Sequence, residues 1–93
     1  MPKTKRAASR ARKNFGVNLR AARHARGVTL EDLAELADMN WSYIASVERG
    51  ERNIGIDNMQ ALADSLGVDL RDLLAPISEN SAMLPGKDNG SSV

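Results

Sequence analysis

The stretch Thr29–Gly50, TLEDLAELADMNWSYIASVERG, decides the fold, because its pattern predicts two short helices joined by a tight turn. Its first half carries apolar residues at Leu30, Leu33, Ala34 and Ala37. This spacing stacks side chains on one face of a helix. Thr29 stands where an N-cap hydroxyl belongs, and Asp32 can complete a capping box. We therefore expect the first helix of the pair to begin near Leu30.

The second helix of the pair is expected after a break in the apolar period at residues 38–40. Asn40 is a good N-cap residue, and Ile44 and Val47 would form the inner face of the helix. Gly50 is expected to end this helix, because glycine adopts the left-handed backbone of a C-cap without strain.

Three more helices are predicted around this pair. An apolar stripe at Phe15, Leu19 and Ala22, followed by Gly27, predicts a helix over about residues 14–26. A helix after Gly55 would have the apolar face Ile56, Met59, Leu62, Ala63 and Leu66 and would end at Gly67. A short last helix would begin at Asp69, carry Leu70, Leu73 and Leu74, and stop before Pro76. The predicted fold is therefore a compact all-α domain of five helices.

Length and composition restrict the class of protein. A chain of 93 residues allows one small domain. The chain has no cysteine, which excludes disulfides and thiolate chemistry and suits a reducing cytoplasm. No apolar run approaches the roughly 20 residues that span a bilayer, and the basic N-terminus is not followed by the apolar segment that a signal peptide requires. We expect a soluble, cytoplasmic protein with no membrane association.

The net charge of +1 conceals a strong asymmetry along the chain. Nine of the 13 Lys and Arg residues lie within residues 1–26, which contain no Asp or Glu, so all 12 acids and only four bases follow. A basic segment ahead of an acidic body is typical of a protein that binds a polyanion, and nucleic acid is the commonest one. The alternative is a segment that only improves solubility.

The composition also predicts three regions. Residues 1–13 are expected to form a flexible basic arm, whose charges are Lys3, Lys5, Arg6, Arg10, Arg12 and Lys13. This arm could extend the first helix backwards on meeting phosphates. Residues 14–77 are expected to form the folded domain, and residues 78–93 a disordered tail.

The motif TxEDLAExA, followed by YIxxVERGxRN, resembles the helix-turn-helix of the Cro and repressor (XRE) family. The resemblance spans about residues 15–74. It implies a lambda-repressor-like fold and a regulator of transcription that binds double-stranded DNA. The stretch from Arg52 to Asn58 is similar to restriction-modification controller proteins, which are dimeric regulators of their own operons, while a phage or plasmid repressor is equally small.

In such motifs the N-terminal end of the second helix lies in the major groove. By resemblance, the base-reading positions are Asn40, Trp41, Ser42 and Ser46, all expected outside the apolar face, and Ala45 is the alternative to Ser46. The DNA backbone would be met by Thr29, Tyr43, Arg49, Arg52 and Asn53. Trp41 departs from the family, where Arg or Gln is usual, and Leu30 departs from the usual Gln. Trp41 could instead fold back over the turn, and Tyr43 could pack against the domain.

Two further roles are expected away from the bases. By resemblance, Glu48 forms a structural ion pair with Arg23. Leu70, Leu74 and Ile77 form more apolar surface than one small domain can cover, which indicates a two-fold dimer interface. The alternative is that they close the end of the core. A dimer would read two half-sites of a palindromic operator.

Other classes of function are less consistent with the residues. His24 is the only histidine and has no acid near it in sequence, so neither catalysis nor a metal or cofactor site is expected. The rival hypothesis is an antitoxin or adaptor that grips a protein partner through the tail or the apolar C-terminal surface. A toxin or RNA polymerase would be such a partner.

Overall fold

The computed structural model describes residues 7–77, and within them the chain folds into five α-helices. Their bounds are α1 Arg10–Ala25, α2 Leu30–Ala37, α3 Trp41–Glu48, α4 Ile56–Leu66 and α5 Leu70–Leu74. The predicted five-helix, all-α fold is confirmed. Lys3, Lys5 and Arg6 of the predicted arm, and the predicted tail, lie outside the described residues. None of these five helices is long and apolar enough to cross a membrane.

Side-chain caps explain where most of the helices begin. Four helices begin at a residue whose side-chain oxygen accepts a backbone N–H group of the first turn. These N-cap residues are Ser9 for α1, Thr29 for α2, Asn40 for α3 and Asp69 for α5. The capping box at α2 is complete, since Thr29 and Asp32 exchange hydrogen bonds of 3.0 and 3.2 Å. Gly55 begins α4 without a side-chain cap. The starts of α2 to α5 therefore match the sequence prediction.

Helix α1 begins four residues earlier than the predicted start at residue 14. The Ser9 hydroxyl accepts the N–H of Arg12 at 3.0 Å, which gives α1 a cap ahead of its first apolar residue. The predicted boundary at residue 13 is thus wrong for the helix. Arg10, Arg12 and Lys13, which were assigned to a flexible arm, lie in the first turn of α1.

Helices α1 to α4 end with the same backbone motif. A residue in the left-handed conformation, with φ between 56° and 76°, donates its N–H to the carbonyl three residues back. The next residue donates its N–H to the carbonyl five residues back, and these eight hydrogen bonds measure 2.9–3.3 Å. This is the Schellman motif, which usually places an apolar residue after the left-handed one. The left-handed residues are Gly27, Asp38, Gly50 and Gly67.

One core is formed by apolar side chains from all five helices and from the loop before α4. Its buried members are Phe15, Leu19, Leu33, Ala34, Ile44, Val47, Ile54, Leu62, Ala63, Leu66 and Leu73. Ile54 was not predicted, because it lies in a segment without apolar periodicity. Ile56 was predicted on the inner face of α4 and is 65% exposed, since it occupies the first position of that helix while the buried face begins later. This core holds α3 against α1 and α2.

Helix α1 approaches α3 very closely at Gly16. A Cβ atom on Gly16 would lie 2.6 Å from the carbonyl oxygen of Val47 and 2.7 Å from that of Glu48. No real Cβ atom tolerates such distances to backbone, so only glycine fits at this crossing. Gly16 therefore sets how deeply the C-terminal end of α3 seats on α1.

Two asparagines of α1 hold the end of α5. The side-chain amide of Asn18 donates to the carbonyl oxygens of Leu73 and Ala75 at 3.1 and 2.8 Å. The backbone N–H of Ile77 donates to the side-chain oxygen of Asn14 at 3.3 Å. The two Asn18 bonds provide partners for carbonyls at the end of α5, which have none within the helix. The end of α5 is thereby attached to the middle of α1.

Candidate nucleic-acid interface

Helix α3 presents one open stripe, while its opposite side is buried. Ile44 and Val47 are 0% and 1% exposed, as predicted, and pack in the core. Trp41, Ser42 and Arg49 are exposed, and Ala45 is partly exposed. Trp41, Ser42 and Arg49 each lie three or four residues from Ala45, so the four positions share one side of the helix. The open stripe of α3 is the surface that can enter a groove of DNA.

Asn40 combines two capabilities at the start of this stripe. Its side-chain oxygen accepts the Ser42 N–H at 2.8 Å and the Ser42 hydroxyl at 2.5 Å, which caps α3. Within residues 7–77 its side-chain NH₂ has no hydrogen-bond partner, so the donor of the amide is available to a ligand. An amide NH₂ suits the acceptor atoms of base edges in the major groove. Asn40 can therefore cap the helix and donate to a base at the same time.

Trp41 is 51% exposed, so a large part of its indole does not pack on the protein. The alternative in which it folds back over the turn would have buried this surface. The indole offers a flat apolar face and one N–H donor. Its position, one residue after the cap, places both at the end of α3 that faces the groove in this class of motif.

Ser46 does not stand on the open stripe, contrary to the prediction. It is 9% exposed, and its hydroxyl donates to the carbonyl oxygen of Tyr43 at 2.7 Å. The reason is that Ser46 lies toward Tyr43 and Val47 on the helix, at the edge of the packed side. Ala45, the alternative weighed for this turn of the helix, is the more open of the two.

Tyr43 packs against the core and also carries part of the polar surface. Its ring lies under the guanidinium of Arg52, whose Cζ is 5.7 Å from the ring centre. The Tyr43 hydroxyl accepts a long hydrogen bond of 3.5 Å from the side-chain amide of Asn58. Cation–π contact of this kind orients a guanidinium without neutralising it. Tyr43 therefore packs against the core, as in the alternative weighed from the sequence, and it also positions the guanidinium of Arg52.

Arg49 and Glu51 form an ion pair at the end of α3. The Arg49 Nε and Nη2 atoms donate to the two Glu51 carboxylate oxygens at 3.0 and 3.1 Å, and both side chains are 57% exposed. These hydrogen bonds raise the pKa of Arg49 and lower that of Glu51 from their usual values. Both groups are therefore charged at neutral pH and form an ion pair.

The first turns of α1 lie beside the loop that follows α3. Arg12 lines a shallow hollow with Asn53, and Lys13 lies with Arg49 and Gly50 around a neighbouring one. Sequence analysis assigned these cations to a separate arm. The structure instead brings Arg12 and Lys13 next to the loop residues that were predicted to meet the DNA backbone. The sequence feature that could have predicted this earlier start of α1 is Ser9, a possible N-cap residue.

Arg23 and Glu48 form the ion pair expected from the sequence, and it is nearly buried. Arg23 Nε and Nη2 donate to the Glu48 carboxylate at 2.7 and 3.0 Å, with the side chains 9% and 6% exposed. Arg23 Nη1 also donates to the carbonyl oxygen of Val28 at 3.0 Å. The hydrogen bond to Glu48 raises the pKa of Arg23. The pair joins the end of α3 to α1 and to the start of the helix pair.

The start of α2 offers a limited anion site. Its capping box already occupies the N–H groups of Thr29 and Asp32 and places the Asp32 carboxylate at the helix end. Leu30 is partly buried and packs against the core. Among residues 7–77, the N–H groups of Leu30 and Glu31 have no partner. A phosphate at this end would therefore be bound through those two backbone donors.

The residues predicted for a dimer interface divide into two groups. Leu70 and Leu74 are partly buried and pack against the core, as in the alternative weighed from the sequence. Ile77 is 38% exposed, and it lines a groove together with Val17, which is 46% exposed. The apolar surface at this end of the molecule is therefore centred on Ile77 and Val17 more than on α5.

The five-helix domain with an open second helix defines the class of DNA-binding helix-turn-helix proteins. Comparison with protein families agrees, because residues 19–73 match the family model described as helix-turn-helix. The chain belongs to this helix-turn-helix family, of the Cro and repressor type.

Similar proteins include regulators of restriction-modification systems. Control protein C.BamHI of Bacillus amyloliquefaciens is 38% identical over 61 residues, which are 64% of this chain and 75% of that protein. The crystal structure of the restriction-modification controller protein C.AhdI from Aeromonas hydrophila is 41% identical, with a TM-score of 0.64, and covers 66% of this chain and 92% of that one.

A further similar structure is the crystal structure of SinR, the master regulator for biofilm formation, in complex with DNA. It is 31% identical, with a TM-score of 0.63, and the match covers 66% of this chain and 98% of the SinR chain in that structure.

Proposed function

We propose that this DNA-binding transcriptional regulator acts as a homodimer on a palindromic operator and controls its own operon in the manner of a restriction-modification controller. The observation that carries the proposal is the open stripe of α3, held by the buried Arg23–Glu48 pair and by Ile44 and Val47. The names of C.BamHI and C.AhdI support the controller role. A cytoplasmic location is part of the proposal, since that is where operator DNA is transcribed.

The base-reading residues in this proposal are those at the beginning of the stripe. Asn40 donates through its amide, Trp41 presents its apolar face to thymine methyl groups, and Ser42 offers a hydroxyl. Ser46 is left with a lesser role, because its hydroxyl proton is already donated to a backbone carbonyl. Ala45 supplies a small surface where a base edge can approach closely.

The DNA backbone is proposed to meet the cations and amides around the end of α3. Arg52, exposed above the Tyr43 ring, and Asn53 in the following loop suit phosphate oxygens, as do Arg12 and Lys13. Thr29 contributes through the helix end that it caps. Arg10 and the described part of the basic arm extend this surface along α1.

A dimer is proposed because one such module reads only a few base pairs. Two half-sites about 34 Å apart on one face of the duplex supply the needed specificity. Ile77 and Val17, with the partly exposed edges of Leu70 and Leu74, form the apolar surface that we assign to the two-fold contact.

Selection of bound sequences from random duplex DNA tests this function directly. The full chain is expected to enrich an inverted repeat whose half-sites are one helical turn apart. A Trp41→Ala variant should relax the preference at one position of each half-site, whereas Leu36→Ala, which removes a similarly exposed apolar side chain from α2, should not. Failure of the wild-type chain to enrich any motif would contradict the proposed function.

A further inference from the structure

Glu51 occupies an unusual position for an acidic residue. It follows the left-handed Gly50 in the Schellman motif of α3 and donates its N–H to the Ser46 carbonyl at 2.9 Å. At the matching positions of α1, α2 and α4 the chain places Val28, Met39 and Val68, all packed against the core. An apolar residue here is the common choice, because it covers the last turn of the helix. The turn itself therefore does not explain the glutamate.

The Glu51 carboxylate covers the hydrogen-bonding edge of Arg49. Nε and Nη2 of a guanidinium form the fork that binds two oxygens of a phosphate or carboxylate side by side. In this structure both atoms donate to Glu51 oxygens, at 3.0 and 3.1 Å. The carboxylate thus stands where a phosphate oxygen pair would be bound.

The backbone keeps the two side chains together. Arg49 donates its N–H to the Ala45 carbonyl at 3.1 Å, and Gly50 donates to Val47 at 3.0 Å, so residues 49–51 are fixed relative to α3. Because Arg49 and Glu51 are two residues apart on this rigid turn, the pair forms without ordering a loop. Its persistence therefore costs less conformational entropy than that of an ordinary surface pair.

Glu48 lines the same hollow as Lys13 and Arg49 but is nearly buried and paired with Arg23, so the other exposed charges around the pair are cationic. Lys13 lies beside Gly50, and Arg52 follows one residue after Glu51. Glu51 is the acid that an approaching phosphate group would meet among these cations. A carboxylate in that place both neutralises Arg49 and repels the phosphate.

We propose that Glu51 competes with a DNA phosphate for Arg49 and so lowers the affinity of the protein for DNA of any sequence. This inference rests on the proposed function, since it requires that the end of α3 meets the DNA backbone. Glu51 acts on binding through Arg49, without reading a base. The protein thereby binds DNA more weakly than it would if Arg49 were not paired with Glu51.

The test compares Glu51→Gln with the matched control Asp69→Asn. Asp69 also pairs with the arginine two residues later, Arg71, at 3.1 Å, but at the start of α5, and asparagine preserves the helix cap. Binding is measured by fluorescence anisotropy at several salt concentrations, with the selected operator and with a random duplex. Sedimentation checks that each variant keeps its oligomeric state.

Glu51→Gln should bind both duplexes about 1.5- to 5-fold tighter per protomer, because the exposed pair no longer opposes binding. Arg49 would then neutralise one more phosphate, so the slope of log K against log salt should steepen by about 0.9 per protomer. Asp69→Asn should change neither quantity. In an Arg49→Ala background, Glu51→Gln should give a clearly smaller gain, because only the direct repulsion between the carboxylate and the phosphate is then removed.

Three results would overturn the inference. These are unchanged binding by Glu51→Gln, weaker binding with a lost preference at one base pair, and an equal gain in the Arg49→Ala background. The second would mean that Glu51 orients Arg49 toward a base, and the third that it repels DNA without acting through Arg49. A wild-type chain that binds no operator would instead refute the proposed function, so the two failures are distinguishable.

Discussion

Gly16 is a residue at which one methyl group decides whether two helices fit. Alanine in the interior of a helix usually stabilises it by roughly 1 kcal/mol relative to glycine. Here a Cβ would lie 2.6 Å from the Val47 carbonyl oxygen, so α3 would have to move away from α1. The close contact at Gly16 could not be predicted from the sequence, because a glycine within a helical pattern indicates only a lower helix propensity.

We expect Gly16→Ala to lower the free energy of unfolding by about 1–3 kcal/mol despite the better helix propensity, since backbone atoms cannot yield as a side chain can. Chemical denaturation followed by circular dichroism measures this change. Gly55→Ala is the comparison, because a Cβ there meets no atom within 4 Å and only the smaller cost of alanine at the N-cap of α4, under about 1 kcal/mol, is expected. A Gly16→Ala protein as stable as the wild type would show that the helices do not cross as closely as described.

The Arg23–Glu48 pair leads to a second prediction at this scale. Arg23→Ala leaves the Glu48 carboxylate 6% exposed and without its partner, which costs roughly 3–5 kcal/mol for a buried pair. The melting temperature should fall by more than 10 °C in a domain of this size. Arg20→Ala, which removes an exposed cation from the same helix, should hardly change it. Equal melting temperatures for the two variants would exclude a structural role for the pair.

At the scale of the element, helix starts were predicted where a capping residue directly precedes an apolar period. Thr29, Asn40 and Asp69 satisfy that condition, and α2, α3 and α5 begin where expected. Ser9 does not, because charged residues and alanine separate it from Phe15, so the start of α1 was missed. The left-handed backbone conformation of Asp38 was also not predicted, since among the residue types only glycine indicates that conformation clearly in a sequence.

Helix α3 permits a variant that separates folding from recognition. Asn40→Asp keeps an oxygen to accept the Ser42 N–H, and aspartate is as good an N-cap as asparagine. It removes the NH₂ donor and places a negative charge at the groove. We expect unchanged thermal stability and at least a tenfold loss of operator affinity, measured by melting and by fluorescence anisotropy, because the base acceptor loses its donor and faces a negative charge instead, which costs roughly 1–3 kcal/mol.

Asn40→Ala provides the opposite comparison, because it loses both the cap and the donor. Its stability should fall by about 1 kcal/mol. If Asn40→Asp bound the operator like the wild type, the amide of Asn40 would not read a base, and the role of the residue would be limited to the cap.

At the scale of the whole molecule, the distribution of base contacts could be predicted only in part. The pattern of apolar residues identified which side of α3 is buried, but the exact edge of that side depends on how α3 is rotated against α1. Ser46 lies on this edge, and packing at Gly16 and Tyr43 decides that it is covered. The apolar surface near Ile77 likewise depends on how α5 is held, which no local pattern specifies.

Oligomerisation can be tested through this surface. We expect sedimentation to show a dimer of the full chain at micromolar concentration, and Ile77→Asp with Val17→Asp to shift it to monomer, because two buried charges would oppose the contact. Ile56→Asp is the control, since Ile56 is 65% exposed and lies on α4, outside the groove that Val17 and Ile77 line. A dimer that survives the double substitution would place the two-fold contact elsewhere.

The hydrogen bonds of Asn14 and Asn18 make the described chain nearly a closed ring, because they join positions 55 to 63 residues apart in sequence. The entropy lost in closing so long a loop grows only slowly with its length, and it is offset when α1 and α5 pair. In a permuted chain, a short linker would join residue 77 to residue 9, and the new ends would lie in the loop before α4. Such a chain would therefore keep the same contacts between helices but change the order in which those contacts can form during folding.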